Sequence, residues 1–249
     1  TAIGEVDGTV GRLLYRGYPI EELVDHVTFE EVTYLILHGE IPNPTQLADW
    51  CHELARWRNP PAAAIEALRR VPAHAHPLAQ YRTMLTVAAC HIPEAENSEL
   101  DAQWRRPARI LSWTAALAAC AIRHLQGSAP VEARDDLGYA ANFLWQTQGR
   151  DPSPADTKAF EASLVVQAEH GLHAAALASL VVISTGADLG SAVLAGMGAL
   201  SGARHGGANQ LAFEMLARLE DPGHARKWAR HALAEGHRFP GFGHRIYKC

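Results

Sequence analysis

Apolar residues recur every three or four positions over most of this chain, and no other feature of the sequence limits the fold as much. That spacing puts the apolar side chains on one face of an α-helix, whereas a half-buried strand alternates at every second residue. Glycine, proline or asparagine bounds each periodic segment, as is typical of helix ends. The pattern predicts helices over residues 45–57, 62–70, 77–90, 107–125, 135–148 and 154–169.

The first forty residues predict one hairpin and two further helices. Two short extended runs flank Asp7 and Gly8, a dipeptide typical of tight hairpin turns. Pro19 then begins a helix, at a position where its missing N–H leaves no partner unsatisfied. Thr28 and Glu31 have the spacing of a capping box, which predicts that another helix begins just after Thr28. The expected fold class is therefore all-α, a large helical domain with a small N-terminal β-hairpin.

Composition and charge exclude several classes of partner. A chain of 249 residues that is 48% hydrophobic can bury a full core. Its net charge of -5, with no block of lysines or arginines, argues against nucleic acid as a partner. The apolar runs at 172–187 and 189–202 are each shorter than the roughly 20 residues of a membrane span, so we expect buried helices and no membrane partner. No secretory signal begins the chain, which favours a cytoplasmic location. The acidic, poorly periodic residues 92–102 predict an exposed loop.

His205 lies in a glycine-bracketed corner between two predicted helices. Asp188 is a plausible N-cap for the first helix, over residues 188–200, and the second helix covers residues 208–219. His205 therefore precedes a helix N-terminus, where free N–H groups and the positive end of the dipole disfavour imidazolium. A neutral imidazole is suited to donating a hydrogen bond to an enol or enolate oxygen. The alternative is a loop histidine beside a Gly-Gly hinge.

Two more histidines lie at breaks between predicted helices. His170 is followed by Gly171, which ends or kinks a helix, and His244 follows a glycine-rich loop. Histidines at helix breaks converge on one cleft more readily than histidines on exposed helix faces. We therefore expect His170, His205 and His244 to meet around one small ligand.

The residues around His244 predict an anion site. Gly241 and Gly243 let the backbone approach a ligand closely, and Arg245 and Lys248 supply positive charge for a carboxylate or a phosphate. The sequence has neither an HExxH motif nor a CxxC pair, so no metal site is expected.

Four stretches, taken in order, resemble the citrate synthase family. They are residues 14–23, 169–171, 205–209 and 241–248. The resemblance implies a mostly helical homodimer with its active site between a large and a smaller mobile domain. It places the large domain at residues 1–204 and the incomplete beginning of the small helical domain at residues 205–249. In the family, helices like those at 172–186 and 189–202 lie at the subunit interface.

The same resemblance implies a reaction. The family joins acetyl-CoA to oxaloacetate to give citrate and CoA, which is the entry step of the tricarboxylic acid cycle. Acetyl-CoA is a co-substrate of this reaction, and no permanently bound cofactor is expected. His205 resembles the histidine that stabilises the enol of acetyl-CoA, and His244 the histidine that hydrogen-bonds the oxaloacetate carbonyl. His170 and Arg245 are then implied to bind substrate. The residues expected to contact CoA are Gly241, Gly243 and Lys248.

Departures from the family pattern keep other functions open. The family's carboxylate base and its oxaloacetate-binding arginines follow the last motif, so we expect a truncated chain that is inactive by itself. His173 stands where the family usually has asparagine, which bears on substrate preference. Propionyl-CoA differs from acetyl-CoA by one methylene, worth about 1 to 3 kcal/mol in an apolar pocket, so 2-methylcitrate synthase is an alternative. The others are a catalytically silent homologue that binds CoA or dimerises, and an all-α scaffold whose histidine corners only end helices.

Overall fold

The computed structural model describes residues 1–72, 74–92, 104–202, 205–219, 221–243 and 246–248. Over these ranges the chain forms one small sheet and twelve α-helices, which confirms the all-α prediction. The helices are α1 Ile20–Val24, α2 Phe29–His38, α3 Pro44–Arg56, α4 Ala62–Glu66, α5 Pro77–Ala89, α6 Arg106–Leu125, α7 Tyr139–Gln148, α8 Pro154–Gln167, α9 Ala174–Ser184, α10 Leu189–Leu200, α11 Gly207–Ala217 and α12 Ala225–Ala234. The loop predicted over residues 92–102 lies outside the described residues, apart from Ile92.

The predicted N-terminal hairpin is present, with one strand more than expected. Strands β1 (Gly4–Asp7) and β2 (Arg12–Tyr15) pair antiparallel, with Asp7 opposite Arg12. A third strand, β3 (Tyr18–Pro19), pairs with β2 on its other side. Two residues carry no periodicity, so the sequence pattern could not show β3. The chain reverses before β3 at Gly17, whose φ of 92° suits glycine.

Tyr15 ties the hairpin to the helical core. Its side chain is fully buried among residues of α1, α2 and α8, including Leu23, Leu35 and Val165. The Tyr15 hydroxyl donates a hydrogen bond to the Val165 carbonyl oxygen at 3.0 Å, 150 residues away in the sequence. The hairpin therefore fixes the last turn of α8, the helix that leads to His170.

Local capping signals predicted some helix ends well and one badly. The Thr28 hydroxyl accepts the Glu31 N–H at the start of α2, and Glu31 accepts the Thr28 N–H at 2.7 Å, so the capping box is confirmed. The prediction that a helix starts at residue 135 is wrong. Helix α7 begins at Tyr139, whose N–H donates to the buried Glu30 carboxylate at 2.6 Å. Asp136, ahead of that start, is paired with Arg134.

Helices α9 and α10 form a hairpin with small residues between them. Asp188 accepts the Ser191 N–H at 2.9 Å, which confirms the predicted N-cap of α10. A Cβ at Gly196 would overlap the hydroxyl oxygen of Ser179 on α9, so only glycine permits this approach. The prediction that both apolar runs are buried is wrong for α9, which has no buried residue, because no described element covers its outer face. In the part of the chain that the structure describes, no helix has both the length and the apolar character to cross a bilayer.

Candidate active site

Three histidines lie where helices end and begin. His170 follows α8, His173 precedes α9, and His205 lies in the turn between α10 and α11. The rings of His173 and His205 have centroids 5.3 Å apart and planes inclined by 42°. The charge of His170 also acts on His173. His173 therefore packs against His205 and follows His170 closely in the sequence.

The turn that carries His205 requires glycine at the next position. The His205 N–H donates to the Gly202 carbonyl oxygen at 2.9 Å, and the Gly206 N–H donates to that of Leu200 at 3.0 Å. A Cβ at Gly206 would overlap the Leu200 carbonyl oxygen. Gly206 is also the N-cap of α11, so the prediction that His205 lies just ahead of a helix N-terminus is confirmed.

One ring nitrogen of His205 is a candidate ligand-binding atom. Its Nε2 is buried and has no hydrogen-bond partner among the described residues. Buried polar atoms in folded proteins are nearly always satisfied, so an exception calls for a ligand or a water molecule. This nitrogen is therefore suited to a polar ligand atom.

His173 is held by the helix that follows it. Its Nδ1 accepts the Ala176 N–H at 3.4 Å as the N-cap of α9, so the neutral ring carries its proton on Nε2. Burial, and next the charge of His205, lower the pKa of His173 below its ordinary value, while Glu169 acts in the opposite direction. The sequence marked His173 as unusual but did not predict its contact with His205.

The residues next to His170 are fixed to the N-terminal hairpin. The Glu169 N–H donates to the Tyr15 hydroxyl at 3.2 Å, and the Glu169 carboxylate accepts the Gly171 N–H at 2.6 Å. Burial raises the pKa of Tyr15, which keeps the hydroxyl neutral. A Cβ at Gly4 would lie 2.6 Å from Cγ of Glu169, so β1 packs directly against this bend. Sequence reasoning missed Tyr15 and Glu169 as supports of the site.

The end of the last motif reaches the same place. The Tyr247 hydroxyl is 3.0 Å from Nε2 of His170, and the two rings are inclined by 71° with centroids 5.6 Å apart. Lys248 contributes a backbone N–H to the Gly8 carbonyl oxygen at 2.8 Å, while its side chain is exposed. His244 and Arg245 lie outside the described residues, so their predicted roles stay predictions.

Two glycines predicted to belong to the site, Gly241 and Gly243, lie within the described residues. Gly241 and Gly243 have φ values of 84° and 81°, the left-handed region that favours glycine. Gly243 has open space where a Cβ would be, and at Gly241 a Cβ would lie 3.2 Å from that of Ala212. Their predicted contact with CoA stays a prediction. Within the described ranges no group of three or more histidine, cysteine or acidic residues could hold a metal ion.

Fold and site together define a class: helical proteins whose polar site is assembled from histidines at helix termini. Comparison with known proteins makes this specific, because a model of the citrate synthase C-terminal domain matches residues 1–249. The chain belongs to the citrate synthase family.

Individual relatives agree with this assignment. The 2-methylcitrate synthase of Mycobacterium tuberculosis is 34% identical over 100% of this chain and 63% of its own length. The citrate synthase of Mycolicibacterium smegmatis is 35% identical over 100% of this chain and 66% of its own length. The chain thus spans less than two thirds of these relatives.

Solved structures show the same fold. Citrate synthase from Pyrobaculum aerophilum superimposes with a TM-score of 0.89 at 34% identity, covering 99% of this chain and 64% of that one. Citrate synthase from the archaeon Thermoplasma acidophilum was solved as a ternary complex with carboxymethyl coenzyme A and oxaloacetate. It superimposes with a TM-score of 0.90 at 26% identity, covering 100% of this chain and 66% of that one.

Proposed function

We propose that the protein is a citrate synthase-type acyltransferase that condenses acetyl-CoA with oxaloacetate. Acetyl-CoA loses a methyl proton, the resulting carbon nucleophile adds to the ketone of oxaloacetate, and water then hydrolyses the thioester to give citrate and CoA. One observation carries the proposal: the Nε2 of His205 is buried beside a helix N-terminus, has no hydrogen-bond partner among the described residues, and belongs to a ring that packs against a second imidazole. The Thermoplasma acidophilum citrate synthase, solved with oxaloacetate and a CoA derivative, supports the choice of substrates.

We assign to His205 the stabilisation of charge on the thioester oxygen. Loss of the methyl proton moves negative charge onto that oxygen, and a preorganised donor lowers the barrier most when it is aimed at developing charge. A neutral imidazole can donate this hydrogen bond without carrying a positive charge of its own. The turn that holds His205 is fixed by two backbone hydrogen bonds, so little reorganisation accompanies the reaction.

We assign the binding of oxaloacetate to His170. Its imidazole is half-buried, and Glu169 and Gly171 on either side of it are fixed by hydrogen bonds. Both His170 and His205 are close enough to His173 for their charges to act on it. Carbon–carbon bond formation requires the two substrates to lie next to each other, so the proposal needs oxaloacetate at His170 to reach the acetyl group at His205.

Thiol release tests this proposal. The protein at its natural length should release CoA only when acetyl-CoA and oxaloacetate are both present. His205→Asn should lower kcat about 10²- to 10³-fold, the usual cost of losing one oxyanion donor. His26→Asn is the matched control, because His26 is exposed, and it should leave kcat unchanged. Absence of thiol release by the wild type would refute the proposal, and oxaloacetate binding without release would favour the silent homologue.

Propionyl-CoA is the second candidate substrate, because relatives that share the whole chain include 2-methylcitrate synthases. The two substrates differ by one methylene, so a pocket separates them by only about 10- to 200-fold in kcat/KM. Measuring kcat/KM for both thioesters with one protein sample decides between them. A higher value for propionyl-CoA would make the protein a 2-methylcitrate synthase.

We infer that a second copy of the chain covers α9. The outer face of this helix exposes a row of large apolar side chains: Leu177, Leu180, Val181 and Ile183, each at least 40% exposed. Large contiguous patches of exposed apolar side chains are rare on monomers and mark association surfaces. Light scattering should show a dimer, and Val181→Glu should give a monomer. Val10→Glu, at a valine on the hairpin turn that is 66% exposed against 56% for Val181, should leave the dimer intact.

A further inference from the structure

We propose that Gly8 is a positioning residue for Lys248, because the turn of the N-terminal hairpin is a seat for the end of the last motif. The seat is the turn at residues 7–9, and residues 246–248 lie on it. This inference rests on the proposed function, since Lys248 is the cation expected to contact CoA. Gly8 has no side chain and acts only through the backbone that it holds.

A backbone hydrogen bond joins the turn to the last motif. The Lys248 N–H donates to the Gly8 carbonyl oxygen at 2.8 Å, although the two residues lie near opposite ends of the sequence. Gly8 is buried, whereas Lys248 is exposed. The backbone at the base of the lysine is therefore fixed to the protein, while the residue itself remains open to solvent and to a ligand that arrives from it.

Close packing on the same segment requires glycine at position 8. A Cβ there would overlap the Ile246 carbonyl oxygen and lie 2.6 Å from the Ile246 carbonyl carbon. Gly8 does not have a positive φ, so an alanine at this position would not strain the turn itself. A side chain is therefore excluded by Ile246 and not by the conformation of the hairpin.

The turn is braced from within. The Asp7 carboxylate accepts the N–H and the hydroxyl of Thr9 at 3.0 and 2.6 Å. The hydrogen bond from the Thr9 hydroxyl, and next the one from its N–H, lower the pKa of Asp7 below its ordinary value, so the carboxylate stays charged at neutral pH. Asp7 also lies opposite Arg12 in the strand pair. Residues 246–248 therefore pack on a turn whose shape is fixed before they meet it.

A fixed backbone at Lys248 favours phosphate binding. A lysine ammonium is a point charge on a flexible stem, and ordering such a side chain opposes binding. Fixing the base of the stem limits the volume that the ammonium group can sample. With a methyl group at position 8, the Ile246 backbone must move by about 1 Å to reach an ordinary contact, and Lys248 moves with it. Loss of the seat should therefore weaken the contact with a CoA phosphate.

Steady-state kinetics of Gly8→Ala provide the first test, in the protein at its natural length. We expect KM for acetyl-CoA to rise about threefold to tenfold, the effect of one hydrogen bond in contact with water. KM for oxaloacetate and kcat should change by less than about twofold. Val10→Ala is the matched control, because Val10 follows the seat on the same turn and is 66% exposed. Unchanged KM for acetyl-CoA in Gly8→Ala would overturn the proposal.

A double-mutant cycle with Lys248→Met shows whether Gly8 acts through the ammonium group. If it does, adding Gly8→Ala to Lys248→Met should raise KM for acetyl-CoA no further. If the two substitutions multiply their effects on KM, the turn acts by another route and the proposal fails.

Amide hydrogen exchange supplies a readout that needs no turnover. The Lys248 N–H should exchange more slowly in the wild type than in an unstructured peptide, and roughly tenfold faster in Gly8→Ala than in the wild type. The Arg16 N–H, which donates to the Ile3 carbonyl oxygen at 2.8 Å, should keep its protection in both proteins.

Two outcomes of the exchange experiment would overturn the proposal: a Lys248 N–H without protection in the wild type, or loss of protection at Lys248 and Arg16 together in the variant. The second would mean that the whole hairpin had opened and that Gly8 is not a separate seat. A wild type without thiol release but with the selective change at Lys248 would refute the proposed function and leave the seat standing.

Discussion

Substitution of His173 separates two properties that a single imidazole combines in this chain. Nδ1 of His173 caps α9 through the Ala176 N–H, and the ring packs against His205. Asparagine can accept the same N–H and has no titratable ring, whereas alanine can do neither. The pair His173→Asn and His173→Ala therefore distinguishes the cap from the charge.

The cap sets the size of the effect at pH 7.5. Its hydrogen bond is 3.4 Å long, beyond the usual range, so we expect a cost near the low end of the known values for a lost N-cap, about 0.5 to 1 kcal/mol. In a chain of this length, 1 kcal/mol shifts Tm by about 2 to 4 °C. His173→Ala should therefore lower Tm by about 1 to 4 °C, and His173→Asn should match or exceed the wild type.

Protonation of His173 determines how the Tm difference between the variants and the wild type changes with pH. Burial, followed by the charge of His205, lowers the pKa of His173 in the folded protein. Above the ordinary pKa of 6.5 the ring is neutral in the folded and the unfolded state, so its full contribution to stability is present. As pH falls below that value the unfolded chain binds the proton first, so stability is lost as pH drops through the folded-state pKa. His173→Asn escapes this loss, so its Tm should gain on the wild type between pH 7.5 and 5.5.

Thermal unfolding followed by circular dichroism at pH 7.5, 6.5 and 5.5 measures both effects on three proteins. Equal losses in the asparagine and alanine variants at pH 7.5 would refute the capping role. If the difference in Tm between His173→Asn and the wild type is the same at all three pH values, the electrostatic role of His173 is refuted.

Two further substitutions test the supports of the site. Gly206→Ala should displace the His205 turn, because its Cβ overlaps the Leu200 carbonyl oxygen, and should lower thiol release at least tenfold. Gly207→Ala is the control, because no atom of the described residues lies within 4 Å of the added Cβ. Equal activity of the two variants would contradict the close approach. Tyr15→Phe removes a buried hydroxyl that makes two hydrogen bonds, so urea unfolding should show a loss of about 1 to 3 kcal/mol. A loss under 0.5 kcal/mol would mean that the two hydrogen bonds add little to stability.

The features that the sequence predicted correctly share a short range. The capping box of α2, the Asp188 cap of α10 and the helix that begins just after His205 each depend on residues within four positions of one another. Such signals act through local backbone hydrogen bonds, which the sequence pattern shows directly. The start of α7 was mispredicted because the carboxylate that meets its first N–H belongs to Glu30, over a hundred residues earlier.

Contacts between distant segments could not be predicted in this way. Tyr15 and Glu169 are 154 residues apart, and His170 and Tyr247 are 77 apart. Neither pair follows from periodicity, because each depends on how the hairpin packs on the helices. At α9 the apolar residues predicted a burial contact that the structure does not show. No element of the described chain covers their exposed face.

The N-terminal hairpin gives these long-range contacts a common origin. Through Tyr15 it fixes the Glu169 backbone just before His170, and through Gly8 it fixes the backbone on either side of Tyr247, which bonds to the same histidine. One small sheet thus sets His170 from two directions. The hairpin carries no residue assigned to the chemistry, yet a shift of its turn would move Tyr247, whereas the hydrogen bonds of Glu169 and Gly171 would still hold the backbone on either side of His170. Substrate affinity should therefore depend on the hairpin more than its distance in sequence from the histidines suggests.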